Sequence, residues 1–224
     1  MSINDINRSQ NMIKMWIDNE KAVEKQYFKD NTDSLIPLFE KELTDLGFEF
    51  ETSNQAVSFM PKHKREILPI AIKYYQLSKD LEKTNEQNYF LRFLCIKGLD
   101  DVIPMLLEDY YSEKTTDLTR WFISDCIYRI KSKNFVREYL DIISNTIFGR
   151  NRQMIILLLG KLKEESAISA LVNLLEDEEV RLQVICALGE FEREEFRCHF
   201  ERFQNSTHIG WRKYAKAALK KLDG

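Results

Sequence analysis

Glycine and proline are scarce in this sequence, with seven and four residues among 224. These residues mark the tight turns of hairpins and loops, so few such turns are available. Alternation of apolar and polar residues is equally scarce, and FEFET at residues 48–52 is the one strand candidate. Apolar residues instead recur at i, i+3 and i+4 along the whole chain. The sequence therefore predicts an all-α fold.

Long apolar segments are missing as well. The run MIILLL at residues 154–159 is far shorter than the roughly 18–20 apolar residues that span a bilayer. The first ten residues, MSINDINRSQ, are polar and lack the basic start and apolar run of a secretory signal. We therefore expect a cytoplasmic protein that makes no contact with a membrane.

Neither sign of charge is in clear excess. Thirty-three basic and thirty-six acidic residues give a formal net charge of −3, so no global field attracts nucleic acid or anionic lipid. Nucleic acid is therefore disfavoured as a partner. The four cysteines, Cys95, Cys126, Cys186 and Cys198, are widely spaced among apolar helical neighbours. This spacing predicts unpaired thiols in a reducing compartment.

Residues for catalysis or metal binding are also few. The chain has three histidines, and Cys198, His199 and His208 form its one Cys/His cluster. Adjacent helical residues diverge by about 100°, so this cluster does not supply converging metal ligands. The sequence has no glycine-rich phosphate loop, no H-E-x-x-H and no G-x-S-x-G motif. We predict no catalytic residue, metal or cofactor.

A repeat of about 32 residues runs along the chain. Segments such as SLIPLF, EILPIA, DVIPML and SAISAL each follow a polar residue and lead into an apolar helix, which we call an A helix. Proline is tolerated in the first turn of a helix, where its missing N–H has no partner. The aligned slot is therefore predicted to lie in the first turn of each A helix, and it is occupied by Pro37, Pro69, Pro104, Arg137, Ser169 and Arg197.

A second pattern lies between the A helices. TRWFISDCIYRI, NRQMIILLLGKL, VRLQVICALGEF and GWRKYAKAALKKL align on Arg120, Arg152, Arg181 and Arg212 and define the B helices. An isolated pair of helices cannot bury its apolar face, whereas stacked pairs can. The sequence predicts about six antiparallel pairs in one continuous domain, residues 33–224, preceded by a capping helix at residues 1–32. Residues 47–61 are expected to be irregular.

Residues 166–191, SAISALVNLLEDEEVRLQVICALGEF, resemble the short HEAT-like repeat that is named after phycobilisome lyases. That repeat has an A helix of the type AIPALIxLL, an acidic turn and a B helix of the type VRxxAAxALGxL. The resemblance is specific from about residue 150 to residue 224 and weaker, but in register, back to residue 34. It implies a right-handed α-solenoid. It does not imply lyase activity, because the shared feature is a packing pattern.

The B helices predict a partly apolar surface. Helical spacing directs one set of B-helix slots into the stack and leaves another set on the opposite side, the concave face in HEAT-type solenoids. Large apolar and aromatic residues beside basic ones are typical of protein interfaces. The predicted partner-binding residues are Arg92, Arg120, Trp121, Asp125, Tyr128, Gln153, Ile156, Leu157, Leu182, Ile185, Lys213 and Lys216.

Several interpretations of this surface stay open. It is a groove for another protein, a homodimer interface, or a surface covered by the N-terminal segment or by tight curvature. The function favoured by the sequence is a non-catalytic interaction module, because the HEAT-like proteins that it resembles include toxin-neutralising immunity proteins and assembly adaptors. The alternative is an enzyme, since Trp121 and Asp125 are similar to the Trp and carboxylate of HEAT-fold alkylpurine DNA glycosylases. In that reading Asp125 stabilises positive charge on the sugar.

Overall fold

The structure is a computed structural model that describes residues 3–224, without the side chains of residues 3–13 and Trp16. All regular structure in these residues is helical, which confirms the all-α prediction, and the strand candidate at residues 48–52 forms no strand. None of the helices in the described residues is both long enough and apolar enough to cross a membrane. The chain divides into two compact units, Met1–Leu94 and Cys95–Gly224.

The first unit contains four helices: α1 (Ile3–Asp30), α2 (Ile36–Asp45), α3 (Ser53–Asp80) and α4 (Thr84–Leu94). The predicted boundary between residues 32 and 33 falls between α1 and α2. Helix α3 is kinked at His63, which has φ −122° and ψ 30°, two residues after Pro61. A proline inside a helix removes a hydrogen bond and its ring clashes with the preceding turn, which accounts for the kink.

Two expectations for this region are wrong. Residues 53–61, expected to be irregular, are helical because the Thr52 hydroxyl accepts a hydrogen bond from the Gln55 N–H and starts α3. Pro69 lies well inside the second half of α3 and not in a first turn. By contrast, Pro37 and Pro104 do occupy first turns, of α2 and of the helix that begins at Ile103.

An aromatic cluster forms the core of the first unit. The ring of Phe39, on α2, meets Tyr74 of α3 and Phe90 and Phe93 of α4 edge to face, with centroid separations of 5.5, 5.2 and 4.7 Å. Such arrangements contribute beyond the burial of apolar area, because the positive edge of one ring meets the negative face of another. The cluster therefore fixes α2, α3 and α4 around one point.

Carboxylates from distant helices hold two helix starts in the first unit. Glu86 of α4 is buried and accepts a hydrogen bond from the Leu35 N–H at 2.9 Å, at the start of α2. Glu24 of α1 accepts from the Ser53 N–H at 3.1 Å, at the start of α3. A negative charge stabilises the positive end of a helix. These contacts join α1 and α4 to the helices they cap.

The second unit contains two sets of helices in alternation. The A set is α5 (Ile103–Tyr111), α7 (Val136–Ser144), α9 (Ile168–Asn173) and α11 (Arg197–Phe203). The B set is α6 (Asp117–Ile130), α8 (Gln153–Leu162), α10 (Arg181–Gly189) and α12 (Ile209–Leu222). Arg137, Ser169 and Arg197 fall in the first turns of their A helices, as the alignment predicts. Short 3₁₀ segments occupy Asp100–Val102, Thr146–Arg152, Glu165–Ala167, Leu174–Glu176 and Glu194–Phe196.

The B helices contact one another in series, α6 with α8, α8 with α10 and α10 with α12, and each A helix packs on the B helix that follows it. Small residues permit the closest of these contacts. A Cβ added at Gly160 of α8 would lie 2.5 Å from Cα of Ala187 on α10. One added at Gly189 would lie 3.2 Å from Cβ of Ala218 on α12. The row of B helices is therefore tightly packed through its glycines.

Candidate functional site

The four arginines that align at the B-helix starts hold the preceding A helix or the connection after it. Arg120 Nε donates to the Tyr110 carbonyl at 2.8 Å, and Arg152 Nη1 donates to that of Ile143 at 3.3 Å. In the next two pairs, Arg181 Nε donates to the Leu175 carbonyl and Arg212 Nη1 to that of Ser206, both at 2.6 Å. The last carbonyls of a helix have no partner within it, and these arginines supply donors where the A helices end.

This role changes the interpretation of Arg120, a predicted binding residue. Its guanidinium also donates to the Ser112 carbonyl at 3.1 Å and pairs with Asp117 at 2.9 Å. Only 12% of its side chain is exposed. Arg120 therefore stabilises the connection between α5 and α6 and offers little surface to a partner.

The outward side of the B helices, which we call the B face, contains most of the predicted site. Trp121 is its most exposed aromatic side chain, at 37%, and Tyr128 lies half-buried further along α6. On α8 and α10, Leu157 and Leu182 are half-buried. The members of the B face are Trp121, Asp125, Tyr128, Gln153, Met154, Leu157, Lys161, Leu182, Gln183, Cys186, Glu190 and Lys213.

Five predicted residues are not on this surface: Arg92, Arg120, Ile156, Ile185 and Lys216. Ile156 and Ile185 are 0% and 1% exposed, so they belong to the core and present nothing to a partner. Met154, expected to face the stack, is half-buried instead. Helix α8 contacts α6, α7 and α10. The prediction assumed that each B helix has one buried side and one exposed side, whereas these three neighbours bury a larger part of α8. Arg92 belongs to α4 in the first unit.

A strip of half-buried side chains without exposed charge runs along the middle of the B face, and we call it the recessed strip. None of the residues 153–160 and 181–189 reaches the exposure of Trp121, and Arg181, the single charged residue among them, is buried. The half-buried members of this strip are Gln153, Met154, Leu157, Leu182, Gln183 and Cys186. Burial raises the pKa of the Cys186 thiol to about 11, so the thiol stays protonated and contributes as an apolar group.

Charged side chains border this strip. On α6, Arg129 Nε donates to Asp125 at 2.7 Å, and between α8 and α10 Lys161 pairs with Glu190 at 3.0 Å. On α12, Lys213 is exposed and has no carboxylate partner among the described residues. Lys216, another predicted residue, instead lines a cavity beside α11 together with Glu201 and Asp223. The border is therefore neutralised on one side and positively charged at α12.

The residues of the alternative, enzymatic interpretation lie on one surface, and their carboxylate already has a partner. Trp121 and Asp125 are one turn apart on α6, as predicted. However, the Asp125 carboxylate is engaged by Arg129, which reduces its capacity to stabilise a second positive charge. The structure brings no further aromatic residue of α8 or α10 to the B face.

The Cys/His cluster is dispersed. The His208 Nδ1 accepts a hydrogen bond from the Trp211 N–H at 3.3 Å, and the two rings stack with a centroid separation of 4.4 Å. His208 therefore caps α12, while Cys198 lies exposed on α11. Within the described part of the chain, no group of three or more His, Cys, Asp or Glu residues is placed to hold a metal ion, and no disulfide forms.

No protein-family model, curated protein or solved structure matches this chain.

Proposed function

We propose that the protein is a non-catalytic interaction module that holds another protein on the B face. In this proposal the second unit is a right-handed α-solenoid of four HEAT-like pairs. The recurring arginine contacts and the serial packing of the B helices support it, because stacked repeats make the same contacts in each pair. With α3 counted as two halves at its kink, α2 to α4 supply two further pairs, and α1 is the cap.

The observation that carries this function is the recessed strip without charge on α8 and α10. A largely apolar surface between Trp121 and Tyr128 on one side and Lys213 on the other can receive a large apolar side chain and exclude water around it. The charge of Lys213 selects acidic residues in the partner, because opposite charges attract across an interface and like charges repel. The partner is thus expected to present an aromatic or aliphatic side chain flanked by carboxylates.

Both uses suggested by the HEAT-like resemblance, immunity protein and assembly adaptor, are consistent with this surface. Lys213 would repel a toxin surface that is basic because it binds an anionic substrate. Whether the partner is a toxin or an assembly component, it must therefore present an acidic surface to the B face. A second copy of the chain is a weaker candidate, because the carboxylates of its B face, Asp125 and Glu190, are already paired and are not free to meet Lys213.

The experiment is affinity capture from native lysate with the tagged wild-type chain and two variants. The Trp121→Ala, Leu182→Asp double variant removes the aromatic contact and places a charge in the strip. Ile147→Asp makes the same kind of change at a residue that is 81% exposed and outside the B face. A protein retained by wild type and Ile147→Asp but lost by the double variant supports the proposal. Equal capture by all three chains contradicts it.

A further inference from the structure

A cavity of about 430 Å³ in the first unit is not part of the B face. Its walls come from α1, from the starts of α2 and α3 and from α4. Val23, Phe28 and Ile36 form an apolar side, while Glu20 and Glu24 contribute carboxylates. Cavities of this size with a few convergent polar groups are typical of small-molecule sites.

Carboxylates outnumber cations around this cavity. The Ser53 Oγ lies 2.5 Å from Oε1 of Glu24 and 3.2 Å from Oε1 of Glu40, which is not itself a lining residue. Ser53 has one hydroxyl proton and can donate to only one of these two carboxylates at a time. Burial raises the pKa of the Glu40 carboxyl, and the nearby charge of Glu24 raises it further. Arg92 is the one basic residue of the lining.

The carboxylate of Glu20 is incompletely satisfied. Its Oε1 accepts a hydrogen bond from the Asn54 N–H at 3.3 Å, but its Oε2 is buried and has no hydrogen-bond partner. A buried acceptor without a donor costs free energy, and a bound donor removes that cost. Arg92 does not supply the donor, because its guanidinium donates to Asn54 Oδ1 and lies 5.7 Å from the Tyr89 ring centroid.

We propose that this cavity binds a small organic cation, a primary ammonium on an aliphatic or aromatic body. The ammonium pairs with the carboxylates of Glu20 and Glu24, which both line the cavity, in charge-assisted contacts stronger than neutral ones. Tyr27, Phe28 and Tyr89 line the same space, and aromatic faces attract organic cations. The apolar body of the ligand packs on Val23 and Ile36.

The test measures binding of phenethylammonium to the full chain by isothermal titration calorimetry, with 2-phenylethanol as the neutral molecule of the same shape. We expect the cation to bind at least about tenfold more tightly than the alcohol, because the alcohol lacks the charge. Glu20→Gln should weaken cation binding by about tenfold or more. Asp18→Asn, an equal charge change at an exposed residue of α1 outside the cavity, should leave it unchanged.

A variant of opposite sign separates this proposal from an anion site. Arg92→Gln removes the positive charge of the lining, so it should maintain or strengthen the binding of phenethylammonium. Weaker binding by Arg92→Gln, equal affinity for the alcohol, or unchanged affinity in Glu20→Gln would each overturn the proposal. So would the absence of binding by wild type to either phenethylammonium or butylammonium at about 10 mM, since weaker association has no specificity. Circular dichroism melting curves establish that each variant is folded.

Discussion

Arg181 donates from Nε to the carbonyl oxygen of Leu175 at 2.6 Å, across the turn between α9 and α10. Its guanidinium also lies 4.4 Å from the Trp211 ring centroid, on the next B helix. One side chain thus connects the two helices of its own pair and also contacts the B helix of the following pair. Together with the equivalent contacts of Arg120, Arg152 and Arg212, it explains why arginine recurs in the aligned slot.

Arg181→Lys should destabilise the protein by about 1–3 kcal/mol. A lysine retains the charge but loses the planar group that donates to Leu175 and to Glu176 and stacks on Trp211. Urea unfolding measures the change. Arg202→Lys is the matched control, since Arg202 pairs with Glu176 on the surface, and its cost should stay within about 0.5 kcal/mol. Equal losses in the two variants would show that the carbonyl contacts do not stabilise the turn.

Gly160→Ala should also destabilise the protein, by about 1–3 kcal/mol. Alanine normally stabilises a helix interior relative to glycine by nearly 1 kcal/mol, so the predicted sign is the reverse of the intrinsic preference. The reason is that the new methyl would meet the backbone of Ala187. Gly189→Ala should cost less, because its Cβ would meet a methyl group at 3.2 Å. A Gly160→Ala protein as stable as wild type would rule out the close approach of α8 and α10.

Glu40→Gln should raise the thermal stability of the protein at pH 7. Burial raises the pKa of the folded-state carboxyl, so its favourable contribution is complete below the unfolded pKa of about 4.3 and is lost as the pH rises through the folded pKa. Glutamine does not ionise and retains acceptors for Ser53 and Tyr89. Melting temperatures of the wild-type and Glu40→Gln proteins are measured from pH 4 to pH 8, and the advantage of Glu40→Gln should grow as the pH rises. A difference that stays constant, or that grows toward pH 4, contradicts this assignment.

The enzymatic alternative makes a separate prediction. A DNA glycosylase contacts phosphates, and its affinity for a duplex rises steeply as the salt concentration falls. The engaged carboxylate of Asp125 and the negative net charge lead us to expect no duplex binding, even at about 20 mM salt. Fluorescence anisotropy with a labelled duplex is sufficient. Salt-sensitive binding that is lost in Trp121→Ala would favour the enzyme over the interaction module.

Helical periodicity alone predicted much of the second unit. The B helices, the first-turn slots at Pro104, Arg137, Ser169 and Arg197, and the surface position of Leu157 all follow from spacing. The burial of Ile156 and the partial exposure of Met154 were not predicted. They depend on how many helices surround α8, and the sequence of one helix does not show this. The burial of Arg120 was not predicted for a similar reason, since two of its three partners are backbone carbonyls, which carry no sequence signal.

The first unit was less predictable. Pro69 fits the repeat slot in sequence, yet α3 continues from Ser53 through Pro61 and Pro69 with a kink, because tertiary packing outweighs local preference. The cavity also had no recognisable motif. Its one available signal was the pair Glu20 and Glu24, which share a face of α1 with Val23 and Phe28, and such a pair is ordinarily a solvated surface.

The affinity of the captured partner for Leu182→Asp tests the central claim most directly. If the recessed strip is a binding surface, a buried charge there should weaken binding by about 2–4 kcal/mol while the variant remains folded. Ile147→Asp should bind as wild type does. Wild-type affinity in Leu182→Asp, or an unfolded Leu182→Asp protein beside a folded Ile147→Asp protein, would show that the strip is not a partner-binding surface.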